Sequence, residues 1–362
     1  MADRFPKLCF QIASFLAFAS FLTGCQTADY YTQAVHGQCQ VWNRQRPIAA
    51  LITDSATPEP LKERLRLILE IRAFAEKELK LPANGHYLRY ADLGRRFVVW
   101  NVYAAPEFSL TPRSWWYPAV GRLDYRGYFS EAKANRYAAK LATQGFDVHV
   151  GGVTAYSTLG WFRDPVLNTF VHDEDADLAE LLFHELAHQR LFIAGDTDFN
   201  EALATAVAEE GLRRWMASRH DPIAYEKYLA QVRRTDQSVE LVTAARDKLS
   251  EIYDAPEDEA GSSISKKRVE KHRILEDLRA SLAKLKTEWG GRTEYAEWFK
   301  RTLNNAQLNT VNTYHQLVPA FRRLLSENGH DLEQFFSAVE KFRKLGKPER
   351  RIKLETPDSV GR

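Results

Sequence analysis

Two histidines, at positions 184 and 188, sit inside the largely apolar run "LAELLFHELAHQRL" and limit what this chain can fold into. Asp177 through Ile193 is patterned as a helix, with Leu178, Leu181, Leu182, Leu186 and Leu191 apolar. The histidines lie next to that apolar face, and a neutral pair buried there without partners would be costly. They are either hydrogen-bonded core residues or ligands of an ion. Four residues apart on a helix, both imidazoles leave the same face and can converge on one point. Glu185 is rotated by about 100° from His184. It can approach a water held by such an ion without being a ligand itself. His-Glu-x-x-His thus offers two nitrogens to zinc and one carboxylate to the water.

A catalytic zinc needs a third protein ligand and an open position. "DFNEALATAV", residues 198–207, supplies Glu201 on a second helix, after a turn marked by Gly195 and Asp196. A Glu near a helix start is also an ordinary dipole partner. Only twelve residues separate His188 from Glu201, so a tight turn has to bring the two helices together. Glu209 and Glu210 are the reserve ligands.

The rest of the chain sets the fold class. Its 362 residues, 44% hydrophobic, suit one large domain or two closely joined ones. A formal charge of +2 gives no footprint for nucleic acid. Residues 25–60, punctuated by Pro47, Pro58 and Pro60, read as a tether with some structure. Residues 61–80 form an amphipathic helix. "RRFVVWNVYAA" and "WWYPAVGRLDYRGYF" read as strands. Residues 130–145 read as a helix with Ser130 as N-cap and Gly145 as C-cap. "FDVHVGGVTAYSTLG" is a strand region, with a loop between it and the histidine helix. The expected lobe of residues 61–220 therefore mixes a small sheet with helices. Residues 221–345 read as a helical lobe. In it, about 223–290 form a long hairpin with a seam of Leu275, Leu278, Leu282, Leu285 and Trp289. The hairpin's charge run is either a solvated face or a docking surface for a protein partner. Residues 346–362 read as a loose tail. The fold class is α+β, predominantly helical.

The N-terminus carries a basic segment, Arg4 and Lys7, and then "LCFQIASFLAFASFLTGC", a short apolar region. Leu22-Thr23-Gly24-Cys25 resembles a bacterial lipobox. The resemblance implies a signal peptide over residues 1–24, removed before Cys25, and several acyl chains on Cys25, enough for stable anchoring. Gln26, by resemblance to Gram-negative lipoproteins, favours the outer membrane, with the protein facing the periplasm. Of three cysteines, Cys9 leaves with the signal and Cys25 takes lipid, so Cys39 has no partner for an intramolecular disulfide. Far in sequence from the motif, it reads as structural or incidental.

His-Glu-x-x-His followed by Asn-Glu-Ala on a second helix resembles the gluzincin metallopeptidases. The resemblance implies His184, His188 and Glu201 as ligands of one zinc ion and Glu185 as general base, on a zincin-like sheet and helix. Beyond the motif, "VVWNVYAAPEFSL", "YRGYF", "VGGVTAYSTLGWFRDPVL", "LNNAQLNTVNTYHQLVPAF" and "HDLEQFFSAVEKF" resemble a bacterial family of lipoprotein aminopeptidases, over nearly the whole chain from Cys25 onward. The implied reaction is hydrolysis of a peptide substrate by metal-activated water. The oxyanion needs a second stabiliser, for which Tyr156 and Tyr314 are candidates, each also readable as packing. Gly151 and Gly152 would let a substrate backbone approach the strand closely, or mark a bulge. A free amine calls for carboxylates, and Asp173, Glu174, Asp175 and Asp177 lie nearby in sequence, although they also match a helix N-terminus. Two readings stand beside the aminopeptidase: an envelope endopeptidase of the same chemistry, and a scaffold lipoprotein in which the hairpin does the work.

Overall fold

The computed structural model describes residues 25–356 apart from 83, 118–120, 156–161, 256–261, 292–301 and 316. Helix α1 (Cys25–Asn43) leads into strand β1 (Gln45–Pro47), α2 (Ile48–Thr53) and α3 (Glu59–Glu78), which starts behind Pro58 and Pro60. Five strands follow: β2 (Arg89–Ala91), β3 (Val99–Pro106), β4 (Trp115–Tyr117), β5 (Gly121–Leu123) and β6 (Arg126–Tyr128). Helix α4 (Glu131–Ala142) is capped by the Ser130 hydroxyl, which accepts from the Lys133 amide. Its last helical residue falls at Ala142, with Thr143 as C-cap, and Gly145 supplies the left-handed residue (φ +83°) two positions later. Then come β7 (Phe146–Val153) and β8 (Val166–Leu167), a two-residue strand inside the segment expected as a loop.

The remaining described chain is helical. The histidine helix α5 (Asp175–Arg190) is followed by α6 (Thr197–Arg219), α7 (Pro222–Asp254), α8 (Ser262–Glu288), α9 (Asn305–His315), α10 (Val318–Glu327), α11 (Leu332–Glu340) and α12 (Lys347–Glu355). The architecture is α+β and predominantly helical, as its periodicities predict.

The strands form three small sheets. One is mixed: β2 pairs antiparallel with β1 (Gln45↔Ala91) and parallel with β8 (Tyr90↔Val166). The second is antiparallel, with β3 between β6 and β7 (Val102↔Arg126, Val102↔Val150). The third is the β4–β5 hairpin.

Three expected boundaries are corrected. Residues 25–60 are part of the body: Val41, Ile48 and Leu51 are buried in the main core, and β1 completes a sheet. A tether could not hold those side chains out of water, and the burial is what orders the segment. Within the expected tail, α12 (Lys347–Glu355) is docked and buries Leu354 and Arg350. Finally, no boundary falls at residue 221. Phe321, Phe335 and Val339 share one core with Leu65, Leu182 and Val207, because the amphipathic helices after the hairpin return to cover α6. The hairpin α7–α8 does have its own core. Leu275, Leu278 and Leu282 pack with Val242 and Leu249, and Leu308 and Val311 of α9 close the seam. It is fastened to the second sheet by Lys271, whose Nζ lies 2.6 Å from Asp147 Oδ2 and donates to the Glu107 carbonyl.

The docked tail reaches the turn between α5 and α6. There Arg350 forms a buried ion pair with Asp196, and it donates also to the carbonyls of Phe342 and Leu345. Breaking a buried pair by removing one partner typically costs about 3–5 kcal/mol. Arg350→Ala should lower the urea unfolding free energy by about that amount, whereas removal of a loose tail would leave the midpoint unchanged.

Candidate functional site

Helices α5 and α6 run antiparallel, joined by residues 191–196. Packing this close needs a small residue at the crossing. Gly211 of α6 supplies it, since a Cβ there would lie 2.6 Å from Leu79 and 2.8 Å from Phe183. The turn itself is closed by Asn200. Its side chain accepts from the Ile193 amide and donates to the Ile193 carbonyl, both at 2.8 Å. The Asn of Asn-Glu-Ala is therefore a clamp that makes the short spacing workable. The next residue, Glu201, faces α5.

The structure brings His184, His188 and Glu201 together. His184 Nε2 lies 3.2 Å from Glu201 Oε2, His188 Nε2 lies 3.8 Å from the same oxygen, and the two imidazoles stand edge to face at 4.9 Å. Zinc held tetrahedrally at about 2.0–2.2 Å separates its ligand atoms by roughly 3.3–3.6 Å. The three side chains suit a zinc ion in type, number and spacing, and their potential ligand atoms all fall within 4.8 Å of one another. Burial pushes His188 down to about 4, which keeps its imidazole neutral, as a ligand must be. For His184, burial is outweighed by the hydrogen bond and charge of Glu201, and its pKa rises. Glu201 is likewise buried, yet His188 and His184 hold it below the usual carboxylate range.

Glu185 is on the next face of α5, 9% exposed, and its Oε2 has no hydrogen-bond partner among the described residues. A buried carboxylate oxygen without a donor is costly in a merely structural role. Burial pushes Glu185 up to about 7, against the influence of His184 and with that of Glu201 and Asp164.

The reserve ligands are otherwise engaged. Both oxygens of Glu209 accept from Arg322 at 2.6 Å, and Glu210 accepts from Arg213 and Arg214.

The trio opens on a cavity of about 970 Å³. Two helical stripes line it: Asp177, Glu180, Leu181, His184 and His188 from α5, and Thr197, Glu201, Thr205 and Ala208 from α6. Each repeats at three or four residues, one face of a helix. Of the four acids expected near an amine, Asp173 and Asp177 line the cavity. Glu174 and Asp175 turn away to Lys227 and Arg64. Glu180, which sequence reasoning passed over, also lines it. Its carboxylate accepts from the Tyr228 hydroxyl at 3.0 Å, and burial pushes it up to about 7. Its signal was available, four residues before His184.

Gly152 is not among the lining residues, which begin on this strand at Val153. The space beside it is filled by the Phe97 ring, 2.4 Å from where a Cβ would stand, so packing accounts for its lack of a side chain. Tyr156 lies outside the described residues. Tyr314 is on α9, and its side chain likewise lies outside the described part of the chain.

A different tyrosine stands at the site. Tyr125, in the turn between β5 and β6, lines the cavity with Glu185 and Glu201. Its phenol is held protonated, first by burial and then by the negative charge of Glu201, with Tyr103 and Glu185 adding to it. It belongs to "YRGYF", but nothing in that stretch alone tells a pocket tyrosine from a packed one.

The N-terminal helix was also missed. Tyr30, Ala34, Val35, Gln38, Cys39 and Trp42, one face of α1, form a wall of the same cavity. Cys39, distant in sequence from the histidines, is thus close to the site in space.

Comparison with known proteins places this geometry in a family. Searches of curated proteins and of solved structures found no match. Residues 29–354 match the family described as "Putative aminopeptidase", a span that takes in α5 and α6 whole and all but the ends of α1 and α12, and the chain belongs to that family.

Proposed function

We propose that the chain is a zinc-dependent aminopeptidase of the bacterial cell envelope, anchored through lipid on Cys25. The observation that carries this reading is the convergence of His184, His188 and Glu201 beside the unpartnered carboxylate of Glu185, on the wall of a cavity. Zinc in that trio would supply a Lewis acid for the scissile carbonyl and lower the pKa of a water toward neutrality. Glu185 is placed to take the water's proton on its free Oε2 and to hand it to the departing amine. Tyr125 offers a protonated hydroxyl to the oxyanion. Asp173, Asp177 and Glu180 give the cavity negative charge on the α5 side, suited to a free cationic amine. The largely apolar lining and a volume of about 970 Å³ suit an extended peptide end better than a folded protein.

No helix among the described residues is long and apolar enough to cross a membrane.

Metal analysis of the purified protein should find one zinc per chain, lost in Glu201→Ala and kept in Glu185→Gln. Glu185→Gln should lower kcat on amino-acid anilides by about 10²–10⁴; cleavage at the wild-type rate would remove Glu185 from the chemistry and the peptidase reading with it. Tyr125→Phe should lower kcat by about 10²–10³ with little change in KM, as measured by initial rates on the same anilides. Peptides with a free N-terminus should be cleaved and their acetylated forms spared. Efficient cleavage of the acetylated forms would instead favour an endopeptidase.

A further inference from the structure

Helix α1 is docked more firmly than packing at a chain end requires. Gly37 lets it rest on Phe129, whose ring atoms lie 2.0–2.5 Å from where a Cβ would be. Glycine inside a helix costs about 1 kcal/mol relative to alanine, so this close approach is built at some expense. The Gln33 side chain accepts from the Phe129 amide at 3.0 Å, and the Arg126 guanidinium sits 3.9 Å over the Tyr30 ring. These contacts fix the helix's rotation. Val35, Cys39 and Trp42 then face the cavity, and Trp42 meets Phe162 edge to face at 4.7 Å. Leu181 lines the same cavity, on the face of α5 that carries His184 and one turn away. Apolar side chains of α1 thus share one cavity with the stripe of His184 and His188 and with the carboxylates of Asp177 and Glu180.

We propose that α1 builds the side-chain subsite of this enzyme, and that the subsite selects peptides whose N-terminal residue is large and apolar. The amine would lie toward the carboxylates and the side chain against Val35, Trp42, Phe162 and Leu181. This rests on the proposed peptidase activity, and its test separates the two.

In one arm, kcat/KM is measured for leucine, phenylalanine and alanine anilides. In the other, phenylalaninamide and alaninamide are titrated calorimetrically into the Glu185→Gln protein, where no turnover is needed. A pocket that takes a few extra methylene groups discriminates by about tenfold or more. Wild type should favour leucine and phenylalanine over alanine by at least that factor, and phenylalaninamide should bind at least about tenfold tighter than alaninamide. Trp42→Ala should reduce both ratios severalfold. Val35→Trp, which fills the space instead of emptying it, should reverse the order and leave alanine preferred. Graded binding without any turnover by wild type would uphold the subsite and overturn the peptidase. Turnover with no preference for apolar residues, in rate or in binding, would uphold the peptidase and overturn the subsite. Neither binding nor turnover would overturn both.

Discussion

Between Arg190 and Thr197 the chain reverses direction in six residues, and the convergence of His184, His188 and Glu201 depends on that reversal being tight. Asn200 closes the turn with two hydrogen bonds to one residue, Ile193, and Arg350 holds Asp196 in the same turn from the far end of the chain. Gly211 then lets α6 approach Phe183 of α5. With the helices locked at that separation, Glu201 reaches both imidazoles across the gap. A looser turn would leave His184 and His188 on one helix and Glu201 on the next without each other as partners.

The same constraint explains how polar groups are distributed through an otherwise apolar core. Each acid on α6 other than Glu201 has a cationic partner: Asp198 with Lys347, Glu209 with Arg322, and Glu210 with Arg213 and Arg214. These pairings engage the other acids and leave Glu201 to the imidazoles. Glu185 is the exception, with one oxygen unsatisfied. Unpaired buried polar groups are rare where structure is the only requirement, and they concentrate where chemistry is done.

The hairpin α7–α8, the most conspicuous charged feature of the sequence, turns out to be closed on itself and on α9, with its leucine seam inside. Outward charges such as Arg273 pair with Glu270 and Asp277 of the same helix. The hairpin is braced against the second sheet through Lys271 and Asp147. The cavity's walls include α1, the β5–β6 turn and helices α5 and α6.

What the sequence determined by itself is local. Helical periodicity puts His184 and His188 on one face and Glu185 on the next, and the Ser130 cap and the hairpin seam are likewise set by residues a few positions apart. These are readable because a helix fixes the geometry of its neighbours before anything else is folded. Tertiary structure alone decided the rest. The N-terminal segment reads as a tether because its apolar face has no meaning until sheet and α5 supply the opposite wall. Its Gly37 looks like a flaw in a helix until Phe129 is seen against it. Tyr125 reaches the cavity that Glu201 lines through a turn, a meeting of distant positions that no spacing rule encodes. The tail's Arg350 became structural only on meeting Asp196. Pairings between distant segments depend on how the whole chain closes, so they appear only once it has closed.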